Sequence, residues 1–345
     1  MNLVRSLIHR LSASSLFSLP GLRSRRAEEA VAIIMTHGVF DACMASRAMP
    51  PSSSVSLTTF EANIRGLQHH YHFISLDEAV TMIEGASEWR KNCAVLTFDD
   101  SMKSLVRLVA PRLATWDIQA VFYVSTQVIE TRRPYWWLRL EHALSKAEGK
   151  TVRAKLSGRS AMVLEPNQRS RTLRELKAAL RVSPIAECEK VVTDIESQVS
   201  QSLGNPARDY PHAEIMGWED VRQLVKLGMT IGSHTVSHPN LVLLSSEELR
   251  SELESSRRMI EEQCQIPCRH LCYPYGAYSD WVCEMSRITE YRSAVTTDTP
   301  GWNEPGTDVH QLKRFGMPHE PYRLTYLLSG VAETLNACKH RLGTS

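Results

Sequence analysis

The sequence predicts an α/β protein whose parallel strands close, or nearly close, into a barrel. About seven short apolar runs of strand length alternate with helical segments, as in a protein with crossover connections. No Gly-rich dinucleotide loop or Walker loop is present, which disfavours a doubly wound nucleotide-binding sheet. Candidate metal and acid–base residues directly follow several of the strands, where parallel barrels build their active sites.

The first half of this alternation is regular. Strands are predicted at residues 31–36, 94–100 and 118–125, which are apolar and rich in β-branched side chains. Helices are predicted at residues 58–69 and 102–117, with another helix beginning after Ser75. Ser75 and Glu78 have the spacing of a capping box, which supports that helix start.

Residues from about 126 to 215 interrupt the alternation and are interpreted as an insertion. The segment contains three helical stretches and a polar hairpin-like piece around residues 157–163. Between Lys150 and Arg181 it carries nine Lys or Arg residues against two Glu residues. Such a charge run is commonly a solvated face, and the alternative is a surface for an acidic polymer or a phosphate.

The alternation resumes after the insertion and continues to the end of the chain. Ser245 and Glu248 form a second capping-box pattern at the start of the longest predicted helix. The predicted strands are residues 230–233, 269–273, 293–297 and 311–316. The predicted helices are residues 216–227, 245–264, 279–288 and 322–339. One barrel domain spanning residues 31–345 is therefore expected.

Composition limits the classes of function. The net charge of +2 gives no overall case for a nucleic-acid partner. Eight scattered cysteines are too few for a disulfide framework, so we expect a reducing, cytoplasmic compartment. Cys264, Cys268 and Cys272 are spaced by four, but they span a helix end, a turn and a strand, and a zinc site is not expected there.

Residues 1–30 form a basic, amphipathic segment. His9 and Arg10 interrupt the apolar run that a secretory signal would need, and no run of 18 apolar residues is present. One interpretation is a partly disordered tail. The other is a peripheral contact with the inner membrane surface, made by this segment together with the basic insertion.

Two adjacent carboxylates, Asp99 and Asp100, end the second predicted strand, and His37 ends the first. Neighbouring strand residues point to opposite sides, so the two aspartates are expected to have different roles. Two buried negative charges at one strand end also repel each other, and a cation would stabilise them.

His234 and His238 follow the strand at residues 230–233 and are spaced so that both can bind one metal ion. Thr235 stands where a zincin peptidase would have Glu, so that class is excluded. Adding one carboxylate gives a two-His, one-carboxylate set that holds zinc or another divalent ion and leaves positions open for water.

Three segments together resemble the ordered motifs of the polysaccharide deacetylases, carbohydrate esterase family four. They are residues 97–100 (TFDD), 233–238 (SHTVSH) and 273–276 (YPYG). The resemblance covers roughly residues 30–320. It implies a deformed (β/α)7 barrel, here with a helical insertion after the third barrel strand. It also implies metal-dependent removal of N-acetyl groups from an acetamido sugar.

The resemblance assigns roles residue by residue. Asp99 corresponds to the general base, and the metal ligands correspond to Asp100, His234 and His238. The backbone N–H of Tyr275, which follows Pro274, corresponds to the oxyanion donor. Zinc is the expected ion, with cobalt, nickel or manganese as alternatives.

Most of the candidates for sugar contact are aromatic residues. Pro274, Tyr275 and Trp302 are expected to contact the substrate, and Trp136 and Trp137 are further candidates for stacking on sugar rings.

Two histidines compete for the role of general acid. His319 is the nearest match to a late family motif but lacks its usual Leu-x-His context. A branch of the family has a Tyr-His pair at the end of the first strand, which His37 resembles with Thr36 in place of Tyr. We favour His37 because it ends a barrel strand.

The sequence departs from the family pattern at two further points. Ser101 stands where Gly usually follows the aspartate pair, and Ser resists the backbone geometry that Gly permits. Cys272 and Tyr273 occupy the region of the Arg that orients the base. Arg314, on the last predicted strand, is the candidate replacement, with Asp298 as its support.

The sequence therefore predicts a metal-dependent N-deacetylase acting on an N-acetylated polysaccharide or a lipid-linked sugar. A related alternative is a sugar deformylase or another N-deacylase. A different alternative is a barrel that has lost catalysis and binds glycans or serves as a scaffold. Ser101 and the missing orienting Arg motivate that alternative, whereas the complete set of ligands and base argues against it.

Overall fold

The computed structural model describes residues 28–41, 54–147, 149–158, 160–166, 169–200 and 214–329. The expectations for residues 1–27 and for the part of the last predicted helix beyond residue 329 lie outside these residues.

Short strands and longer helices alternate along the described chain. The strands are β1 Ala32–Thr36, β2 Gly38–Phe40, β3 Ser54–Ser56, β4 His72–Phe73, β5 Cys93–Phe98, β6 Ala120–Val124, β7 Val152–Ala154, β8 Met162–Leu164, β9 Thr230–Ser233, β10 His270–Cys272, β11 Ser293–Val295 and β12 Arg314–Gly316. The α-helices are α1 Leu57–Gln68, α2 Leu76–Ile83, α3 Ala110–Thr115, α4 Thr126–Thr131, α5 Trp136–Ser145, α6 Arg169–Arg181, α7 Ile185–Gln198, α8 Trp218–Lys226, α9 Ser246–Cys264, α10 Asp280–Ile288 and α11 Arg323–Leu328.

Seven parallel strands form one curved sheet in the order β11-β10-β9-β6-β5-β1-β12, with the short β4 pairing beside β5. The two ends of this sheet approach each other through the segment before β12. Val295 bridges Leu312 in parallel, and the Thr296 N–H donates to the Leu312 carbonyl at 2.9 Å. The sheet is thus a nearly closed barrel, which confirms the predicted fold class.

The strands at the centre of the sheet are buried on both faces. Every residue of β5 and β6 is buried, as expected for parallel strands covered by helices outside and by other strands inside. Val95 packs with interior residues of the facing strands, whereas Leu96 packs in the cluster that the surrounding helices share. By this alternation Asp99 lies on the Val95 side, and it therefore faces the barrel interior.

The chain after β5 differs from the single helix predicted for residues 102–117. Leu105–Val109 forms a π-helical turn that continues into α3. Before it, Met102 bridges Ile215, and the Met216 N–H donates to the Ser101 carbonyl at 2.9 Å. These pairings hold residues 101 and 102 outside the helix and delay its start.

The segment between β6 and β9 carries its own apolar cluster. Helices α5, α6 and α7 pack around the antiparallel pair β7 and β8, with Leu140, Leu176 and Val192 among the residues buried there. The buried Arg139 of α5 pairs with Glu189 and Glu196 of α7 and ties these helices together. None of the helices in the described ranges is long and apolar enough to cross a membrane.

Candidate active site

Asp100, His234 and His238 point their ligand atoms at one another at the carboxyl ends of β5 and β9. The Nε2 atoms of His234 and His238 each lie 3.6 Å from Asp100 Oδ1, and they lie 3.1 Å from each other. All three side chains are buried. The structure thus brings together the three residues predicted as metal ligands.

These distances fit a divalent cation. Ligand atoms about 2.0–2.1 Å from a tetrahedral ion lie about 3.3 Å apart, and the three observed distances bracket that value. Burial, with His234 as the next contributor, lowers the pKa of His238 to about 3, so this imidazole is neutral, as a ligand must be. The three residues could therefore hold a divalent ion on one face, with further coordination positions open.

Hydrogen bonds fix the orientation of His234. Its Nδ1 lies 2.8 Å from the Cys272 carbonyl oxygen, which only accepts, so Nδ1 carries a proton and Nε2 is the atom that faces Asp100 and His238. A partner on the far ring nitrogen sets the tautomer and the angle of a metal-binding imidazole.

Glu252 of α9 holds the loop that connects the two histidines. Its carboxylate accepts the backbone N–H groups of Val236 and Ser237 at 2.8 and 3.0 Å, and the Ser237 hydroxyl at 2.7 Å. The loop is also tightened by the His238 N–H, which donates to Thr235 Oγ1 at 3.1 Å. These bonds fix the separation of the two ligands through a helix that contributes none of them.

Asp99 lies beside the ligand trio and is held by Arg314 of β12. Arg314 Nη1 and Nη2 donate to the two carboxylate oxygens of Asp99, each at 2.8 Å. The same guanidinium also donates to Thr97 Oγ1 at 3.0 Å and to the Cys272 sulfur at 3.1 Å. The guanidinium thus fixes both the position and the rotation of the Asp99 carboxylate.

The charges of both aspartates are compensated. Burial alone raises the pKa of Asp99, but the Arg314 guanidinium outweighs it and holds the pKa well below its usual range. For Asp100 the same burial is outweighed by the nearby imidazoles, His37 first and then His234, and its pKa is also lowered. Both groups are carboxylates at neutral pH.

Cys272 takes part in this network without supplying charge. Its sulfur lies 3.6 Å from Asp99 Oδ2, and burial raises the pKa of the thiol. Asp99, His234 and Cys272 offer a second group of neighbouring ligand atoms. Because Asp99 is already bound through both oxygens by Arg314, this group is a poorer metal site than the first.

A cavity of about 210 Å³ opens onto Asp99 and Asp100. Tyr275 lines it from the turn Pro274–Gly276, where its backbone is left-handed with φ of 61°. The Trp136 indole N–H donates to the Tyr275 hydroxyl at 2.9 Å, which attaches α5 to this turn. The residues that line the cavity are His37, Asp99, Asp100, Trp136, Trp137, Lys177, Arg181, His234, His238, Tyr273, Tyr275, Gly276, Thr297 and Arg314.

The two candidate acids lie in different places. His37 lines the cavity, with its Nε2 3.9 Å from Asp100 Oδ2 and 27% of its side chain exposed. His319 is exposed and is not among the cavity-lining residues of the described chain. Its backbone carbonyl oxygen accepts a hydrogen bond from the Thr59 hydroxyl at 3.3 Å.

Other predicted site residues lie outside the cavity. The Trp302 ring packs against Phe315 with ring centroids 5.1 Å apart, in the core. Asp298 gives Arg314 no hydrogen bond within the described residues. The link runs instead through Thr296, whose carbonyl accepts Arg314 Nε at 3.3 Å and whose hydroxyl accepts the Asp298 N–H.

Ser101 adopts the left-handed backbone that the glycine preference suggested, with φ of 51° next to Asp100 at 67°. Such a conformation costs a non-glycine residue roughly 1–2 kcal/mol. The Ser101 hydroxyl accepts the Ser125 N–H at 3.3 Å, a bond that glycine could not make. Ser101 thus keeps the geometry of the turn that follows the metal ligand.

Three site residues have no motif that marks them in the sequence. Glu252 lies in an ordinary amphipathic helix, where a carboxylate is unremarkable. Lys177 and Arg181 belong to the basic run of the insertion, whose charge was visible although its placement beside the cavity was not. Their roles depend on contacts across the fold, which local patterns do not encode.

This chain is similar to known proteins in sequence and in fold. The model of the polysaccharide deacetylase family matches residues 86–294. Chitooligosaccharide deacetylases from Sinorhizobium fredii and Azorhizobium caulinodans are 27% and 30% identical over 109 and 105 residues, or 31% and 30% of this chain. The match spans 47% of the length of each relative, which is less than half.

Solved structures share the fold. The Streptococcus pyogenes deacetylase PplD, in complex with acetate, aligns with a TM-score of 0.57 at 17% identity, covering 87% of this chain and 99% of that chain. IcaB from Ammonifex degensii aligns at 0.56 and 16% identity, covering 87% and 97%. At such identities the likeness shows the fold, which is a deformed (β/α)7 barrel. Because the family model matches more than half of the residues, and its range includes Asp100, His234 and His238, this chain belongs to the polysaccharide deacetylase family.

Proposed function

We propose that this protein is a metal-dependent carbohydrate N-deacetylase. One observation carries the proposal: a trio of metal-ligand atoms and a separately anchored carboxylate, Asp99, open onto the same cavity. Hydrolysis of an amide needs both, because the carbonyl is a weak electrophile and water is a weak nucleophile. The alternative of a barrel without catalysis does not explain why Asp99 is anchored beside an intact ligand set.

A divalent ion bound to Asp100, His234 and His238, with zinc as the first candidate, would supply an acidified water and polarise the amide carbonyl. Asp99 accepts the proton of the attacking water. The bidentate bond to Arg314 uses one side of each carboxylate oxygen, and the Cys272 thiol lies at Oδ2, so the other side of Oδ1 is available. Arg314 therefore orients Asp99 and keeps it ionised.

Tyr275 and His37 complete the proposed reaction. The backbone N–H of Tyr275 donates to the oxygen of the tetrahedral intermediate, a contribution typically worth about 3–4 kcal/mol per donor. The left-handed turn and the hydrogen bond from Trp136 to the Tyr275 hydroxyl support this backbone position. His37, which also lines the cavity, protonates the departing nitrogen, because an imidazole can hold a proton near neutral pH.

The substrate we propose is an acetamido sugar within an N-acetylated glycan or a lipid-linked sugar. Family membership and the names of the relatives, which are chitooligosaccharide deacetylases, support this class. The half-buried aromatic side chains of Trp137 and Tyr275 along the cavity supply the apolar surface on which sugar rings stack.

The test is to incubate the protein, loaded with zinc, cobalt, nickel or manganese in turn, with a panel of N-acetyl and N-formyl sugars. Released acid and deacylated sugar are measured by mass spectrometry. We expect acetate release that is lost in Asp100→Asn and Asp99→Asn, with only the former also losing bound metal. A folded, metal-loaded protein that releases no acid from any sugar would contradict the proposal.

We also propose that the protein works in the cytoplasm, at the inner surface of the membrane. The free, buried cysteines of the described residues and the basic run of residues 150–181 support this placement. Flotation with anionic vesicles compares the full chain with a chain that begins at residue 31. Equal flotation of the two would remove the N-terminal segment from the proposal.

A further inference from the structure

We propose that Arg181 makes this site selective for a sugar that carries an anionic group, either a phosphate or a carboxylate, beside the acetamido group. This inference rests on the proposed deacetylase function and narrows its substrate class. It derives from the place of Arg181 at the cavity and from the pairing of the charged groups around it.

Arg181 is the last residue of α6 and is attached to the metal-binding loop. Its carbonyl accepts the Asn240 side-chain amide at 2.9 Å, and Asn240 follows the ligand His238 by two residues. Both Arg181 and Lys177, one helical turn earlier, line the cavity together with Tyr275. The Arg181 backbone is therefore held at a fixed place relative to the reacting centre, while its long side chain remains exposed.

Most other cations near this wall already have carboxylate partners. Lys177 pairs with Glu141, and Arg139 pairs with Glu189 and Glu196. A further pair joins Arg133 to Glu189 at 3.0 Å.

Deeper in the cavity, the guanidinium of Arg314 pairs with the Asp99 carboxylate. Arg181, by contrast, has no carboxylate partner among the residues that the structure describes. Among the described residues that line the cavity, Arg181 is therefore the Lys or Arg side chain that can pair with an incoming anion.

The charges deeper in the cavity do not oppose an anion at this position. Asp99 is neutralised by Arg314, and Asp100 would be neutralised by the bound metal ion. A guanidinium binds a phosphate or a carboxylate through two parallel N–H groups, which fixes the orientation of the ligand as well as its charge. A neutral sugar could accept single hydrogen bonds from this group but would leave its charge uncompensated.

The experiment compares three forms of one acetamido sugar: unmodified, phosphorylated, and carrying a carboxylate as a uronic acid. We expect the zinc-loaded protein to deacetylate an anionic form with roughly tenfold higher kcat/KM than the neutral form, mainly through KM. The difference should shrink as salt rises, and the two anionic arms identify which group is preferred.

Arg181→Gln should bring the ratio of anionic to neutral kcat/KM close to one. The matched control is Arg171→Gln, which removes the same charge from the same helix at an exposed position that pairs with Glu175. This control should leave the ratio unchanged. Equal kcat/KM for all three forms, or a ratio that survives Arg181→Gln, would overturn the inference.

Calorimetric binding of the same three sugars gives a readout that does not depend on turnover. Tighter binding of an anionic form that is lost in Arg181→Gln supports the inference even if no acetate is released. Acetate release from neutral and anionic sugars at the same rate leaves the deacetylase proposal standing and removes only the anion selectivity.

Discussion

Arg314 and Asp99, from strands β12 and β5, form a bidentate pair in which both N–H···O distances are 2.8 Å. Both side chains are almost completely buried. By resemblance, the arginine that orients the base belongs next to Cys272, just before the Pro274 turn. In this chain the guanidinium comes from another strand, and the Cys272 thiol accepts one of its hydrogen bonds instead.

This pair predicts a distinctive stability pattern. Arg314→Met should lower the free energy of unfolding by about 3–5 kcal/mol, because it leaves the Asp99 carboxylate buried without a partner. Adding Asp99→Asn to that variant should recover a large part of the loss, since the remaining group is neutral. Urea unfolding of the four proteins in the cycle measures the coupling.

The control for that cycle is Arg250→Met, which removes an exposed arginine that pairs with Glu254 at 2.9 Å. It should change the free energy of unfolding by less than about 1 kcal/mol. Strictly additive effects of Arg314→Met and Asp99→Asn would show that the two side chains do not stabilise each other.

His37 and His319 give a prediction about the general acid. His37→Gln should reduce kcat by about 100-fold or more, because His37 lies at the cavity beside Asp100. His319→Gln should leave kcat within about twofold, because that side chain is exposed outside the cavity. Initial rates on an acetamido sugar measure both, and the reverse pattern would assign the role to His319.

Glu252 predicts an effect on metal affinity without any change of ligand. Glu252→Ala removes the acceptor of three hydrogen bonds from the loop between His234 and His238. We expect the zinc dissociation constant to rise about 10- to 100-fold, a range typical for partners that orient metal ligands. Competition with a chromophoric chelator measures it.

Glu254→Gln is the matched control for this measurement, because Glu254 lies on the same helix, is exposed and pairs with Arg250. Its zinc affinity should equal that of the unmodified protein. If Glu252→Ala also binds zinc normally, the loop is held by its internal bonds, such as the one from the His238 N–H to Thr235.

His310 predicts how stability depends on pH. Burial, with Arg287 as the next contributor, lowers the pKa of His310 to about 4, whereas an unfolded histidine has a value near 6.5. Between these two pH values His310 binds a proton in the unfolded chain but not in the folded chain. The contribution of His310 is therefore complete above about pH 6.5 and is lost as the pH falls towards 4.

Measured by urea unfolding of the metal-free protein, His310→Gln should flatten the decline of stability across this pH window. The free energies of unfolding of the variant and the unmodified protein should differ there by roughly 1–2 kcal/mol, after allowance for solvent screening. Above pH 7 the two stability curves should run parallel. Curves that stay parallel down to pH 4 would show that His310 is not the responsible group.

The sequence was most informative about candidate site residues that directly follow predicted strands. Asp99, Asp100 and His234 directly follow strand-like runs, and the barrel rule alone placed them together. Arg314 could be proposed as the base's partner because the expected position held Cys272. The contact itself joins residues 215 positions apart, and local patterns cannot establish it.

Glu252 and Arg181 show the limit of such reasoning. Each lies in a helix whose local pattern requires only a polar residue at that position. Their contacts depend on how α9 and α6 pack against the loop at residues 234–238. Trp302 shows the opposite error, since its residue type suggested sugar contact but it packs against Phe315.

The segment between β6 and β9 supplies none of the proposed metal ligands, yet it holds Tyr275 through Trp136 and the loop at residues 234–238 through the Arg181 carbonyl. In the proposed mechanism, the residues that carry out the reaction and the residue that selects the substrate thus lie in different stretches of the chain. Substitutions in this segment are then expected to change which glycan is accepted while Asp99, Asp100, His234 and His238 stay as they are.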